Sequence, residues 1–252
     1  MKRSREKVIV LRPRRAALPE CASFADEASV VRFEREMRTH RARVEEFRVV
    51  LGSVAGSFLV SGASGGTYAV DLVDRREEHD ACSCPDFLFG MLGACKHLAA
   101  VRRAARENAW VRRVAESLPA DARARDGVVI TARAGLADGP GPLGVVALGR
   151  EAESVIAHLA ALALGGGALE RGGLGPANDE QAAAHVTLGP GGELAASAAV
   201  LGHARDFGLA RVTPAAISAA RILEQRRARG ERFLGVGRAL AAGKLGVDVL
   251  AQ

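Results

Sequence analysis

The sequence predicts an α+β protein in two parts: an N-terminal helix with a small hairpin-plus-helix finger, and an α/β domain rich in alanine and glycine. Apolar residues recur at helical spacing from Val30 onward. Two short alternating segments, GSFLVSG and GTYAVDLV, follow close together. After Pro119, glycine and alanine dominate the composition. We therefore place the helix and finger in residues 23–118 and the α/β domain, of unknown function, in residues 127–252.

Residues 1–22 are expected to form a flexible basic arm. Its first fifteen residues hold seven lysines and arginines against the single acid Glu6, and Pro13 and Pro19 discourage regular structure. The apolar run Val8 to Leu11 is too short for a signal peptide, and no later apolar run is long enough to span a bilayer. The sequence therefore predicts a soluble, cytoplasmic protein without a membrane partner.

A helix is expected to begin at Ser23, because Ser23 and Asp26 have the spacing of a capping box. Its apolar residues form one stripe, with charged residues on the other faces: Val30, Phe33, Met37, His40, Val44 and Phe47. Such a stripe packs on the chain's own next domain or in a coiled coil. The pattern covers few heptads, which favours packing within the chain.

The two alternating segments predict a β-hairpin with one buried face. Apolar side chains alternate at Phe58 and Val60 in the first strand and at Tyr68, Val70 and Leu72 in the second. The later run LAAVRRAARENAWVRRVAESL predicts one continuous helix to about Leu118.

The C-terminal half alternates strand-like and helix-like segments, which is typical of an α/β or α+β domain. The strand candidates are Val128–Ala132, Val145–Leu148 and His185–Leu188. The helix candidates are Glu151–Leu164, Glu193–Phe207 and a long run from Pro214 to about Leu240.

Residues 81–101, ACSCPDFLFGMLGACKHLAAV, hold three of the chain's four cysteines. On an extended strand, residues two apart project to the same face, so the sulfurs of Cys82 and Cys84 converge. Cys95 and His97 have the same spacing at the start of a helix. Three thiolates and one imidazole make a closed tetrahedral site for Zn²⁺. The finger is therefore predicted to be zinc-stabilised and to fold together with its metal.

Other uses of the cysteines fit less well. A disulfide between Cys82 and Cys84 would close a very tight ring, and a catalytic zinc would need an open coordination position. A redox-active thiol leaves His97 unexplained, and an iron–sulfur cluster is a remoter alternative. His79 could extend the ligand set, although a loop histidine beside acids is commonly solvated.

The cluster and its flanks resemble the SWIM zinc finger, whose pattern is C-x-C-x(n)-C-x-H. The resemblance spans roughly residues 52–105 and includes flanking residues: Pro85, Asp86, Phe87, Lys96 and Leu98. It implies that zinc is bound by Cys82, Cys84, Cys95 and His97. SWIM fingers occur in bacterial proteins, transposase-like proteins and recombination regulators, and are thought to bind DNA or proteins.

The formal charge of +6 and the isoelectric point near 9.7 favour an anionic partner, nucleic acid first. The alternative explanation of this charge is a GC-rich genome, which prefers arginine codons. The candidate phosphate contacts lie on the predicted finger helix: Lys96, Arg102, Arg103, Arg106, Arg112 and Arg113. A solvated helix surface is the alternative for these residues, and the acidic run DLVDRREEHD would repel phosphate.

The leading hypothesis is a non-enzymatic zinc protein that binds DNA, RNA or a DNA-acting protein partner. The second is a protein-interaction adaptor or complex subunit without nucleic-acid affinity. The third is an enzyme with its site in residues 127–252. Two apparent catalytic motifs fail: Asp206 to Gly208 lacks the lobe that a kinase needs, and Gly237 to Lys244 lacks the P-loop spacing.

Overall fold

The computed structural model shows helices together with two mainly antiparallel sheets, which confirms the predicted α+β class. The chain divides into two compact units, Met1–Asp121 and Ala122–Gln252. The structure describes residues 8–20, 26–63, 65–90, 92–133, 144–163, 186–188 and 193–228.

The N-terminal unit is built on an antiparallel sheet whose strands lie side by side in chain order. The strands are β1 (Val8–Leu11), β2 (Phe47–Leu51), β3 (Ser57–Gly62), β4 (Thr67–Asp71) and β5 (Ala81–Cys82). The helices are α1 (Glu27–Val44), α2 (Pro85–Gly90), α3 (Lys96–Glu107) and α4 (Ala109–Glu116), with a 3₁₀ turn at Glu77–His79. Helix α3 packs against both α1 and the sheet.

Strands β3 and β4 form the predicted hairpin, with Phe58 opposite Val70 and Val60 opposite Tyr68. The side chains of Phe58, Val60 and Val70 are fully buried. Burial of a side chain of this size stabilises the fold by about 1.5–3 kcal/mol relative to exposure. The hairpin prediction is confirmed, and its buried face forms part of the core beneath the cysteine cluster.

Part of the predicted flexible arm is a strand, which corrects the interpretation of residues 1–22. Val8–Leu11 pairs antiparallel with β2, placing Val8 opposite Val50 and Leu11 opposite Phe47. Leu11 is buried, and the Arg14 amide beyond the strand donates to the Arg43 carbonyl at 2.7 Å. The apolar run pairs because β2 supplies the hydrogen bonds that its backbone groups need.

Helix α1 begins after the predicted start and ends before the predicted end. Its N-cap is Asp26, whose carboxylate accepts from the Ser29 amide at 2.7 Å in a capping box. Ser23 lies outside the described residues. The helix ends at Val44, and Phe47 is a buried strand residue rather than the last member of a helical stripe. The β-branched and aromatic composition of FRVVL favours a strand over one more helical turn.

The long helix predicted after the cysteines is two helices. The Asn108 side chain accepts from the amides of Trp110 and Val111, at 2.9 and 3.3 Å, and so acts as the N-cap of α4. Asparagine is among the preferred N-cap residues, and this local hydrogen bonding competes with continuation of α3.

The C-terminal unit has a sheet of order β10-β6-β7-β9-β8, in which β10 pairs parallel to β6. Its strands are β6 (Val129–Arg133), β7 (Gly144–Leu148), β8 (Val186–Leu188), β9 (Glu193–Ala196) and β10 (Arg211–Val212). Its helices are α5 (Ala152–Ala163), α6 (Ala198–Asp206) and α7 (Pro214–Ala228).

Two features of this unit differ from the sequence prediction. The segment predicted as one helix, Glu193–Phe207, is a strand followed by a helix, because Ser197 caps α6 by accepting from the Val200 amide at 3.2 Å. The short strand β10 was not predicted. Residues 164 and 185, and the part of the last predicted helix beyond Ala228, lie outside the described residues. Among the described helices of the chain, none combines the length and apolar character needed to cross a membrane.

Candidate metal centre

Four potential metal ligands converge in the N-terminal unit. The sulfurs of Cys82, Cys84 and Cys95 and a ring nitrogen of His97 all lie within 4.8 Å of one another. Each of the four residues is at most 4% exposed. Such a cluster of donor atoms, closed off from solvent, is the arrangement that a tetrahedral structural metal site requires.

The backbone that presents the first two cysteines differs in part from the expected strand. Cys82 is held in β5 opposite Val70, but the strand ends there. Cys84 stands at the start of α2, where its carbonyl accepts from the amides of Phe87 and Leu88. A turn, rather than the alternation of a strand, therefore brings the two sulfurs together.

The second pair of ligands lies at the start of α3. Cys95 is the N-cap of this helix, with extended backbone angles, and His97 is the second helical residue. The amides of the first turn of a helix have no carbonyl partner within the helix, and they carry partial positive charge. The sequence predicted this placement of both residues.

Each cysteine sulfur accepts a hydrogen bond from a backbone amide. The Cys84 amide donates to Cys82 Sγ at 3.4 Å, the Phe87 amide to Cys84 Sγ at 3.3 Å, and the Leu98 amide to Cys95 Sγ at 3.4 Å. Hydrogen bonds to the charged form of a group favour that form. These amide hydrogen bonds favour the thiolate form of the sulfurs, whereas burial opposes it.

His97 supplies the strongest sign that an ion belongs here. Both of its ring nitrogens are buried, and neither has a hydrogen-bond partner among the residues that the structure describes. A buried polar atom without a partner costs about 1–3 kcal/mol, and a metal–nitrogen bond removes that cost for one nitrogen. The ring is held between Tyr68 at 4.7 Å and Phe47 at 5.9 Å between centroids, which fixes its orientation toward the sulfurs.

The protonation of the thiols points the same way. Burial raises the pKa of Cys82 and of Cys95 well above the usual range. Hydrogen bonds from those two thiols lower the pKa of Cys84 far below it. All three sulfurs can therefore be thiolates together only beside a cation, and a divalent metal provides it. The number, type and burial of these donors fit Zn²⁺.

Three of the predicted phosphate contacts are engaged within the protein. Lys96 Nζ lies 2.6 Å from Glu45 Oε2, and Arg102 Nε donates to Asp80 Oδ2 at 2.7 Å. Arg103 is only 5% exposed and donates to backbone carbonyls. These side chains link elements around the finger and leave little of their charge facing solvent.

The other three predicted phosphate contacts are exposed. Arg106 lies in the last turn of α3, and Arg112 and Arg113 lie on α4. Arg112 donates to the carbonyls of Ala105 and Arg106, at 3.3 and 2.5 Å. Their role in binding nucleic acid stays a prediction.

The two ends of the acidic run before Cys82 are buried in the unit, whereas residues 75–78 are exposed. His79 is 5% exposed, and its Nδ1 lies 2.5 Å from Oδ2 of the buried Asp74. Asp74, His79 and Asp121 also bring ligand atoms within 4.8 Å of one another. The guanidinium of Arg76 lies 2.9 Å from Asp121, so an arginine side chain already supplies positive charge beside this second cluster. The expectation that His79 is solvated is wrong.

Sequence reasoning missed the aromatic residues that surround the ligand histidine. Phe47 was assigned to the helical stripe and Tyr68 only to the hairpin, whereas both rings contact His97. No local pattern marks these contacts, because they join strands β2 and β4 to helix α3 across the sheet.

The comparisons with known proteins agree with the geometry. Residues 68–102 match the family model of the SWIM zinc finger, which confirms the resemblance drawn from the cysteine spacing. The matched segment runs from β4 into α3 and contains all four converging ligands. Comparison with curated proteins and with solved structures gives no match.

Proposed function

We propose that the protein is a non-enzymatic zinc protein in which the metal holds a scaffold for binding nucleic acid. The closed set of Cys82, Cys84, Cys95 and His97 supports a structural rather than a catalytic ion. Four protein ligands fill a tetrahedron and leave no position for substrate or water. The burial of every ligand supports the same role.

The observation that carries the nucleic-acid proposal is an excess of unpaired arginines on the surface of the N-terminal unit. Among its described residues, the exposed arginines without an ion pair include Arg15, Arg32, Arg41, Arg43, Arg48, Arg106 and Arg113. Exposed acids are fewer, and two of them, Glu78 and Glu107, already pair with an arginine. A surface of this kind attracts a phosphate backbone and releases counterions when it binds.

A salt titration tests this proposal. The full chain loaded with zinc is added to a fluorescein-labelled 20-nucleotide strand and to a 20-base-pair duplex, and anisotropy is measured from 50 to 300 mM KCl. Binding that weakens steeply and linearly on a log–log plot supports the proposal. No binding of either probe at 50 mM contradicts it.

A second function, that of a protein-interaction adaptor, is favoured by one separate observation. Val8, Val10 and Leu59 are 50%, 45% and 44% exposed, and all three side chains project from the outer face of the sheet. Among the described strands, β1 also lies at the edge of its sheet, and an edge strand is a site where a partner can add a strand. Pull-downs with and without nuclease separate the two functions: a defined protein partner that survives nuclease, without affinity for nucleic acid, selects the adaptor.

A further inference from the structure

A groove runs along helix α1 in the N-terminal unit. A cavity of about 690 Å³ lies between the helix and the residues around Pro19. Its helical wall is one stripe at spacings of three and four residues: Ala28, Arg32, Arg35, Thr39 and Arg43. At 1.5 Å per residue, this stripe is about 22 Å long. A second cavity, lined by Pro13 to Ala17 and Val44, adjoins it at Ala17.

The wall opposite the helix is tied to it at one end. The Arg14 amide donates to the Arg43 carbonyl at 2.7 Å, and Arg103 donates to the Arg12 carbonyl at 2.7 Å. The segment that follows β1 is thereby tied to the last turn of α1. The groove consequently lies between one helix and one segment whose first residues are bonded to that helix and to α3.

The groove is strongly basic. Its lining holds five arginines against one acid, Glu36. Arg14 is paired with Glu107 at 3.0 Å, whereas the remaining four arginines make no ion pair within the described residues: Arg15, Arg32, Arg35 and Arg43. His40, whose Nδ1 is buried without a hydrogen-bond partner, lines the same groove. Charge complementarity therefore calls for an extended polyanion.

The dimensions favour one nucleic-acid strand over a duplex. A volume of this size is typical of pockets for small ligands, about 300–1,000 Å³. The cavity can hold a few nucleotides of one strand. A duplex is much wider than one strand, because its major groove alone is about 12 Å across. A wall about 22 Å long spans several nucleotides of an extended strand, which is the scale of known single-strand sites. The lining contains no Phe, Tyr or Trp ring for base stacking.

We propose that the groove between α1 and residues 13–19 binds a single nucleic-acid strand through its phosphodiester backbone. This inference rests on the proposed function and relocates its surface, since Lys96, Arg102 and Arg103 are engaged within the protein. Contacts to phosphate without base stacking read no sequence. DNA and RNA strands of equal length therefore bind with affinities within a few-fold of each other.

Two matched double variants test the groove. Arg32→Gln/Arg43→Gln removes two charges from it, and Arg205→Gln/Arg221→Gln removes two charges from the exposed surface of the C-terminal unit. All four arginines are exposed, and within the described residues only Arg205 makes an ion pair, with its neighbour Asp206, so both variants are expected to fold. Zinc content and thermal unfolding are measured on each to verify this. Binding of labelled dT20, U20 and a 20-base-pair duplex is followed by anisotropy from 50 to 300 mM KCl.

The groove variant is expected to bind dT20 between about tenfold and a hundredfold more weakly at 50 mM KCl, with its salt slope reduced by about 1.4, or 0.7 per lost phosphate contact. The control variant is expected to stay within twofold to threefold of the wild type. Arg15→Gln, on the opposite wall, gives about half the loss of slope.

Each other outcome overturns a definite part of the proposal. If the wild type binds dT20 and the groove variant binds it equally well, the groove is wrong and nucleic-acid binding stands. If the duplex binds more tightly than dT20, the single-strand assignment is wrong. If polyglutamate competes as well as dT20 at equal charge, the groove binds an acidic protein segment instead. If no nucleic acid binds the wild type at 50 mM KCl, the proposed function fails together with the groove.

Discussion

The guanidinium of Arg103 donates a hydrogen bond from Nη2 to the backbone carbonyl of Arg12 at 2.7 Å. The same side chain donates from Nη1 to the carbonyls of Ala42 and Arg43, at 3.0 and 3.2 Å, and its Nε lies 2.9 Å from Glu107 Oε1. One buried arginine thus ties the segment after β1 and the last turn of α1 to helix α3. Its role in the structure is to join these elements, and its charge is already used in doing so.

Replacing this arginine is expected to destabilise the N-terminal unit. Arg103→Met keeps most of the aliphatic volume and leaves three carbonyls without their donor, at a cost of about 2–4 kcal/mol. Arg113→Met, at an exposed position on α4, is the control and is expected to change stability by less than about 0.5 kcal/mol. Urea unfolding followed by circular dichroism measures both. Equal effects of the two substitutions would show that Arg103 has no such structural role.

The break between α3 and α4 is expected to depend on the side chain of Asn108. Asn108→Ala removes the oxygen that accepts from the amides of Trp110 and Val111, and should lower the free energy of unfolding by about 1 kcal/mol. Asn108→Asp keeps a capping oxygen and should lose little. If urea unfolding shows that Asn108→Ala is more stable than Asn108→Asp, the capping role is contradicted.

Zinc affinity is expected to fall as the pH is lowered. Burial raises the pKa of Cys82 and Cys95, so both are protonated in the metal-free protein near neutral pH, whereas the metal binds thiolates. Binding therefore releases at least two protons, and the affinity should weaken by about two log units per pH unit between pH 8 and 6.5. Competition with a chromophoric chelator, corrected for its own titration, measures this dependence. An affinity that does not change over this range would mean that the cysteines are not the ligands.

Local patterns in the sequence were sufficient to predict the four ligands of the metal site. The spacing of Cys82, Cys84, Cys95 and His97 predicted the ligand cluster, because both pairs lie on short segments whose geometry depends on neighbouring residues. The hairpin was predictable for the same reason, since alternation along each strand shows its buried face. Asn108 carried a signal that was overlooked, because an asparagine inside a helical pattern is a candidate N-cap.

Contacts between distant segments could not be predicted in the same way. Strand β1 forms because Val8–Leu11 meets β2, and no residue near Val8 indicates that partner. Phe47 fitted the helical stripe by spacing, but its place in the sheet is set by pairing with Gly62 and Leu11. Arg103 is also buried through contacts between distant segments. It donates to the carbonyl of Arg12, just after β1, and to that of Ala42 in α1.

Metal analysis of the purified full chain tests the central claim most directly. We expect about one zinc per chain in the wild type and in Cys21→Ser, which alters the one cysteine outside the cluster. We expect loss of the metal and of the finger's cooperative unfolding transition in Cys95→Ser, because the finger folds with its metal. A metal-free wild-type protein whose finger unfolds cooperatively, unchanged by added zinc or chelator, would contradict the account.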